Sequence, residues 1–239
     1  LTTGADTFPN SSPDWSPDGS RIVYAGANPD GFDLYVVGVD GGDPLRLTDA
    51  TGDEYTPAWS PGEDRIVFAF DDGAESDWRS GLAVVNADGS GWTELFGRDQ
   101  ERAEHPVWSP DGDRIAFTVF TAGVPRSYVM EADGSNPTML REEPGVALSW
   151  TPDGRRIVVA EVEGDDLLTI RPNGSDARVL IDALPERLQQ PLMDWSPDGE
   201  WIVSATVLDG GPVYLLRADG SQTFVIALAG IDPAWRPVG

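Results

Sequence analysis

Few side chains in this sequence could catalyse a reaction. His105 is the single histidine, and therefore the only side chain of a type that titrates near neutral pH. A Ser-His-Asp triad would need it beside a serine on a strained turn, but no Gly-x-Ser-x-Gly motif occurs. The absence of cysteine excludes thiol catalysis and, with one histidine, a zinc site. We therefore expect no catalytic residues, and we interpret His105 as a rim or turn residue.

Carboxylates are the reactive groups that the chain has in quantity. It contains 41 acidic and 16 basic residues, and its formal net charge is −25. Calcium binds about six to eight oxygen ligands, so converging carboxylates could hold it. Glu54, Glu104 and Asp232 are weak candidates for such a metal site, and no EF-hand loop is present. We expect no cofactor, with bound calcium as the open alternative.

The charge also restricts the partners. A net charge of −25 repels phosphate backbones and anionic membrane surfaces, which argues against nucleic-acid binding. No apolar stretch reaches the roughly 18 residues of a spanning helix, so we expect no membrane insertion. Apolar residues make up 40% of the chain and include nine tryptophans, enough to fill a packed core. A protein or peptide is the expected partner.

A sequence repeat predicts the strands and turns that position these residues. The pentapeptide Trp-Ser-Pro-Asp-Gly, or a variant of it, begins at Trp15, Trp59, Trp108, Trp150, Trp195 and Trp235. Between successive copies run segments of period-2 alternation, which predict strands with one buried face, and Asp-Gly or Asn-Gly turns. Four short antiparallel strands per repeat of about 44 residues are typical of a propeller blade. We therefore predict an all-β propeller forming a single domain, residues 1–239, with each tryptophan packed between neighbouring blades.

The repeat resembles a known family. The run Pro-x-Trp-Ser-Pro-Asp-Gly-x-x-Ile-x-Phe, followed by Tyr-Val-x-x-x-Asp-Gly-Ser and Leu-Thr, is similar to the TolB-type propeller repeat over essentially the whole chain. The resemblance implies six blades and a channel mouth at which protein or peptide segments insert.

The number of blades depends on the two chain ends. Five complete repeats lie between Leu1–Thr3, which resembles the last strand of a repeat, and Pro233–Pro237, which resembles the first. We predict six four-stranded antiparallel blades, the sixth being an incomplete closing blade shared by the two ends. A five-bladed ring is the alternative, and it would leave two terminal strands over.

The segment three to five residues before each tryptophan is the least uniform part of the repeat. It belongs to the inner strand of each blade, so its side chains are expected at the channel mouth. The polar residues there are the candidate binding residues: Asn10, Glu54, Tyr55, Glu104, His105, Gln190 and Asp232. The longest irregular segment, Asp71–Gly81, carries Trp78 and Arg79, residue types that anchor interfaces. We predict a loop interface there.

These observations favour a non-catalytic binding or scaffold propeller in an extracytoplasmic location: periplasmic, cell-surface or secreted. It would dock a protein or peptide at the channel mouth. One alternative is a calcium-dependent hydrolase of lactones or esters with its site in the channel. Another is a structural or sensor domain of a larger protein or assembly, in which exposed blade edges pair with another chain. The protein would accordingly be a monomer or an edge-paired oligomer.

Overall fold

The computed structural model describes residues 10–29, 31–62, 64–73, 78–162, 164, 166–182, 192–205, 212–227 and 235. These residues form 20 β-strands, all of them in four-stranded sheets. Nowhere in this part of the chain is there a helix of the length and apolar character needed to cross a membrane.

Two sheets, which we call blades 1 and 2, lie in the first of two compact units, Leu1–Pro106 with Asp133–Ser135 and Arg236–Gly239. Blade 1 consists of β1 (Asn10–Trp15), β2 (Arg21–Asn28), β3 (Gly31–Gly38) and β4 (Leu45–Arg46). Blade 2 consists of β5 (Glu54–Trp59), β6 (Arg65–Asp71), β7 (Arg79–Asn86) and β8 (Thr93–Asp99).

The second unit comprises Val107–Ala132 and Asn136–Trp235. Blade 3 consists of β9 (Glu101–Trp108), which begins in the first unit, β10 (Arg114–Thr121), β11 (Val124–Glu131) and β12 (Thr138–Met139). Blade 4 consists of β13 (Gly145–Trp150), β14 (Ile157–Glu161), β15 (Leu167–Ile170) and β16 (Arg178–Ile181). Blade 5 consists of β17 (Leu192–Trp195), β18 (Trp201–Ala205), β19 (Val213–Arg217) and β20 (Thr223–Ala227). That residues 1–239 form a single domain stays a prediction.

The described residues form five blades, not the six predicted, and this number agrees with the five-bladed alternative. Each sheet takes its four strands from one repeat in sequence order, so five complete repeats make five sheets. Of the two ends assigned to a sixth blade, Leu1–Thr3 and Pro233–Pro237, only Trp235 is described. The Trp235 backbone N–H donates to Asp194 Oδ2 at 2.7 Å, and the side chain packs against the cluster that contains Val203.

The middle strands are buried on both faces, where the alternation predicted one buried face. In β6, the consecutive residues Ile66, Val67 and Phe68 are 0% exposed. In the first unit a single apolar cluster joins side chains of both blades, including Val23 of blade 1 and Phe68 of blade 2. The core of this unit therefore lies between its two sheets.

Each repeated tryptophan was expected between neighbouring blades, and the contacts of Trp59 and Trp150 confirm this for those two positions. Trp59 of blade 2 shares a buried cluster with Val23 of blade 1, and its backbone N–H donates to Asp14 Oδ2 at 2.6 Å. The Trp150 indole N–H of blade 4 donates to the Val107 carbonyl oxygen of blade 3 at 3.1 Å. The tryptophan thus links successive sheets through both apolar contact and a hydrogen bond.

The arginine six residues after the tryptophan strengthens this link. The Arg21 guanidinium lies 4.8 Å from the centroid of the Trp59 ring and 2.8 Å from Asp64 Oδ1, both on the next blade. Arg114 stacks on Trp150 in the same way, at 4.9 Å. A planar guanidinium can stack on a ring and pair with a carboxylate at once, which a lysine ammonium does less well.

The Trp-Ser-Pro-Asp-Gly segment forms the turn from the inner strand to the second strand. In blade 1, Ser16 Oγ donates to Asp18 Oδ1 at 2.7 Å and accepts the Arg21 backbone N–H at 2.9 Å. Gly19 has a φ of 64° and donates its N–H to the Ser16 carbonyl oxygen. The same hydroxyl-to-Asp hydrogen bond recurs at Ser109, Thr151 and Ser196.

These turns predict how the protein responds to acid. Hydrogen bonds from Ser16 and Ser20 lower the pKa of Asp18 to about 2. Because the folded pKa is depressed, the stabilisation is present above the unfolded pKa of about 3.9 and is lost as pH falls through 2. We expect Asp18→Asn to lower the unfolding midpoint in urea at neutral pH, and the deficit to vanish as the pH approaches 2. Asp43→Asn serves as the reference for loss of one surface charge, and a constant deficit at every pH would contradict the prediction.

Candidate functional site

The candidate residues lie at the end of each blade where the inner strand begins, which we call the mouth end. In the first unit it comprises the starts of β1, β5 and β9 and the turns that join β2 to β3 and β6 to β7. Because successive strands are antiparallel, the Trp-Ser-Pro-Asp-Gly turns lie at the opposite end, the hairpin end.

Backbone bulges shape the mouth end. Ser12, Thr56 and His105, each three residues before a repeated tryptophan, have φ values of 52°, 48° and 54°. In β1 and β5 the pairing register shifts at this point, between Ser11 and Asp14 and between Tyr55 and Ala58. A left-handed conformation is unusual for these residue types, and such conformations concentrate at functional sites.

A proline accompanies each of these left-handed residues. Pro13, Pro57 and Pro106 directly follow the three positions, and proline has no N–H to lose from the ladder. In β17, where Met193 replaces the proline, the strand pairs regularly with β18. In β13 the register also shifts, between Ala147 and Ser149, although Leu148 stands at the proline position; the proline therefore accompanies the left-handed residue and is not required for a bulge.

Glu54, the first residue of β5, is buried with 1% of its surface exposed. Its Oε2 has no hydrogen-bond partner among the described residues. The pKa of Glu54 is raised from its usual 4.5 to about 7, chiefly by burial and in smaller part by the charges of Asp33 and Asp53, while a hydrogen bond with Thr48 and the charge of Arg46 oppose the shift. A carboxyl in this position titrates closer to neutral pH than a surface glutamate does.

Asp33 and Arg46 complete the surroundings of Glu54 and were missed in the sequence. Asp33 is 1% exposed, accepts from Asn28, and pairs with Arg46 Nη2 at 2.7 Å. The Arg46 side chain remains 42% exposed. An aspartate inside the apolar run from Phe32 to Val37 was the available signal, because a buried carboxylate needs a cationic partner.

Tyr55 and Glu104 form a second cluster, on the other face of β5. Burial raises the pKa of Tyr55 to about 12, and the charge of Glu104 adds to it, while a hydrogen bond with Ser80 opposes it. Glu104 is 5% exposed, and its Oε1 accepts from Arg102 Nε at 2.7 Å. His105 Nε2 lies 3.6 Å from Glu104 Oε2. The structure thus brings together Tyr55, Glu104 and His105, three of the predicted binding residues.

The other predicted residues are placed less completely. Asn10 starts β1 with its backbone opposite Gly26. Gln190 and Asp232 lie outside the described residues. Among the described residues, no three His, Asp or Glu side chains are grouped so as to hold a metal ion, and Asp232 of the proposed metal set is not described. Calcium binding stays an untested prediction.

Trp78 and Arg79, the predicted loop interface, already make contacts inside blade 2. Trp78 is half-buried, and its carbonyl oxygen accepts from the Gln100 backbone N–H at 3.0 Å. The Arg79 guanidinium is held by both carboxylate oxygens of Glu94, Nη1 lying 2.6 Å from Oε2. A partner that used Arg79 would have to approach a guanidinium that is already paired.

The chain is similar to several known proteins. A TolB homolog of Chlorobium luteolum is 33% identical over 152 residues, which cover 61% of this chain and 34% of that protein. The solved structure of a putative TolB from Agrobacterium tumefaciens superposes with a TM-score of 0.75 at 21% identity, covering 96% of this chain and 87% of that one. No family model matches the chain.

An enzyme shares the fold as well. The structure of a puromycin hydrolase superposes with a TM-score of 0.68 at 21% identity, over 94% of this chain and 39% of the enzyme. At this identity the likeness extends to the fold alone.

The matched proteins are longer than this chain. It spans 39%, 34% and 26% of the lengths of three curated relatives that it matches. Within that span, the repeated four-stranded antiparallel sheets, the linking tryptophans and the TolB relatives agree with one another. The resemblance found in the sequence is therefore confirmed: the chain is built of TolB-like β-propeller repeats.

Proposed function

We propose that the protein is a non-catalytic, extracytoplasmic binding module that docks a protein or peptide segment at its mouth end. Its TolB-like repeats support a binding role, and one curated relative is named a Tol-Pal system protein TolB. The periplasmic, cell-surface or secreted location of the chain is part of this proposal.

The observation that carries the proposal is the cluster around Glu104. Two inner strands, β5 and β9, each carry a buried carboxylate, Glu54 or Glu104, and a left-handed residue, Thr56 or His105. Tyr55, Arg102 and His105 lie close to Glu104. The Arg102 side chain is 52% exposed, so an incoming segment can reach it, and its ion pair with the buried Glu104 holds it in place. Aromatic and arginine side chains held in this way are typical of binding hot spots.

The proposal assigns no catalytic residue. The alternative of a calcium-dependent hydrolase would need a metal site, and the described part of the chain offers no such group of acidic side chains. The fold shared with an enzyme such as the puromycin hydrolase does not specify a reaction, since function depends on the site and not on the fold.

The test uses a random peptide library displayed on phage, selected against the full chain. We expect enriched peptides whose affinity falls at least about tenfold, or about 1.4 kcal/mol, on Arg102→Ala. His105→Asn is a second mouth variant that should also weaken binding, because asparagine tolerates the left-handed conformation at φ 54° and preserves the backbone. Circular dichroism would check that both variants are folded.

The matched control is Arg155→Ala at the hairpin end. The Arg155 side chain is 84% exposed and lies 3.8 Å from Asp153, so its removal changes the net charge equally without touching the mouth end. Failure to enrich any peptide, or equal loss of affinity in Arg155→Ala and the mouth variants, would overturn the proposal.

A further inference from the structure

The outer strand of blade 5, β20, exposes three consecutive large apolar side chains. Phe224, Val225 and Ile226 are 48%, 54% and 55% exposed, and they are consecutive in the chain. On one side β20 pairs with β19, and no described strand pairs with its other side. Unpaired N–H and C=O groups on such an edge form a template for another strand.

The other outer strands are protected by length or by charge. Strands β4 and β12 contain two residues each, β8 carries Glu94, Arg98 and Asp99, and β16 begins with Arg178. Strand β20, with the sequence Thr-Phe-Val-Ile-Ala, has five residues and no charged one. Natural proteins usually shield edges with charges or short strands, so an apolar edge of this length calls for a partner.

Two aromatic side chains, Phe224 of β20 and Trp201 of β18, lie against each other beside this edge. The Phe224 ring centroid is 6.1 Å from that of Trp201, and the Arg217 guanidinium lies over the Trp201 ring, 5.0 Å from its centroid. Blades 1 and 3 have arginine at the position of Trp201, where it stacks on the next tryptophan. Blade 5 therefore has an aromatic ring at the strand position where blades 1 and 3 have a guanidinium.

The regularly paired part of β20 is short, so the exposed apolar side chains of this strand must contribute to the affinity for an added strand. The register is regular from Thr223 to Val225, opposite Leu216 to Tyr214, and a bulge follows at Ile226. An added strand would form few backbone hydrogen bonds and would gain the rest of its affinity from contact with Phe224 and Val225.

The net charge of the protein distinguishes between two occupants of the β20 edge, a second copy of this chain and a segment of another protein. A second copy of this chain would bring a second net charge of −25 to the interface, which disfavours pairing of two β20 edges. Asp219, in the turn that leads into β20, is exposed, and hydrogen bonds from Ser221 hold its pKa below the usual value, so it is ionised at neutral pH. A positively charged segment is attracted both by this carboxylate and by the protein as a whole.

We propose that β20 is a docking edge for an extended, basic segment of another protein, which adds as a further strand to blade 5. The segment alternates lysine or arginine with β-branched or aromatic residues, so that its apolar side chains lie beside Phe224 on one face of blade 5 and its basic side chains lie beside Val225 on the opposite face. This site is separate from the mouth end and does not depend on the function proposed there.

The probe is a capped peptide of about seven residues that alternates lysine and valine, titrated calorimetrically into the full chain at about 50 mM salt. We expect binding by the natural chain and a loss of at least about tenfold for Val225→Lys, which places a charge on the edge. Val179→Lys is the matched control: Val179 is 56% exposed on β16, so the charge change and exposure are the same, and we expect binding to be retained.

Two further measurements make the outcome decisive. The same peptide with alternate backbone nitrogens methylated should not bind, because it cannot donate to the edge. Equal binding by the methylated peptide, or by Val225→Lys, would reduce the effect to general attraction by an acidic surface and overturn the proposal. Sedimentation of the natural chain alone should show a monomer. A dimer that Val225→Lys abolishes would assign the β20 edge to a second copy of this chain instead.

Discussion

Glu54→Gln is expected to stabilise the protein at about pH 8, by at most about 3 kcal/mol, and to have little effect at about pH 5. The folded pKa of Glu54, about 7, is above its usual 4.5 because the carboxyl is buried. A raised folded pKa gives stability that is fully present below the unfolded pKa and is lost as pH rises through 7. Glutamine imitates the protonated carboxyl at every pH, so the natural chain should lose stability across this window while the variant does not. Urea unfolding at several pH values measures the difference.

Glu104→Gln is the matched control for this prediction. Glu104 is buried like Glu54, but it is paired with Arg102. Substitution of Glu104 by glutamine removes one partner of an ion pair, so we expect it to destabilise the protein at about pH 8. The change in unfolding free energy would then have the opposite sign to that of Glu54→Gln. If the free-energy difference between Glu54→Gln and the natural chain is the same at both pH values, Glu54 does not titrate in this range and the prediction fails.

Gly174→Ala is expected to destabilise the protein by about 2 to 5 kcal/mol. Gly174 lies in the Asn-Gly turn between β15 and β16 and has a φ of 77°, which alanine adopts only with strain. A Cβ there would also lie 2.4 Å from the Leu140 carbonyl oxygen, at the outer edge of blade 3, closer than any real contact. Because that oxygen belongs to the backbone, the two blades would have to separate. Equilibrium unfolding in urea measures the loss.

Gly41→Ala separates the two contributions. Gly41 occupies the same turn position in blade 1, has a φ of 87°, and has no described atom within 4 Å of the added Cβ. It should lose only the strain of the left-handed conformation, about 1 to 2 kcal/mol. Equal losses in the two variants would mean that the contact between blades at Gly174 contributes nothing.

The sequence alone determined the strands, the turns and the linking role of the tryptophans. Period-2 alternation, Pro-Asp-Gly and Asp-Gly are local signals, because they act through the conformations of adjacent residues and through hydrogen bonds such as Ser16 to Asp18. The position three to five residues before the tryptophan was also recognisable as variable, and Tyr55, Glu104 and His105 lie together there.

Only the tertiary structure decided the rest. Burial of both faces of β6 and the raised pKa of Glu54 depend on the packing around blade 2, and the pairing of Asp33 with Arg46 depends on the alignment of β3 with β4. The exposure of β20 likewise follows from what packs on blade 5, since its apolar sequence reads the same whether covered or bare. Local conformation is encoded by neighbours in sequence. Burial and electrostatic environment are set by residues on other strands, such as Asp33 and Arg46 around Glu54, and the pattern of a single repeat does not specify these contacts.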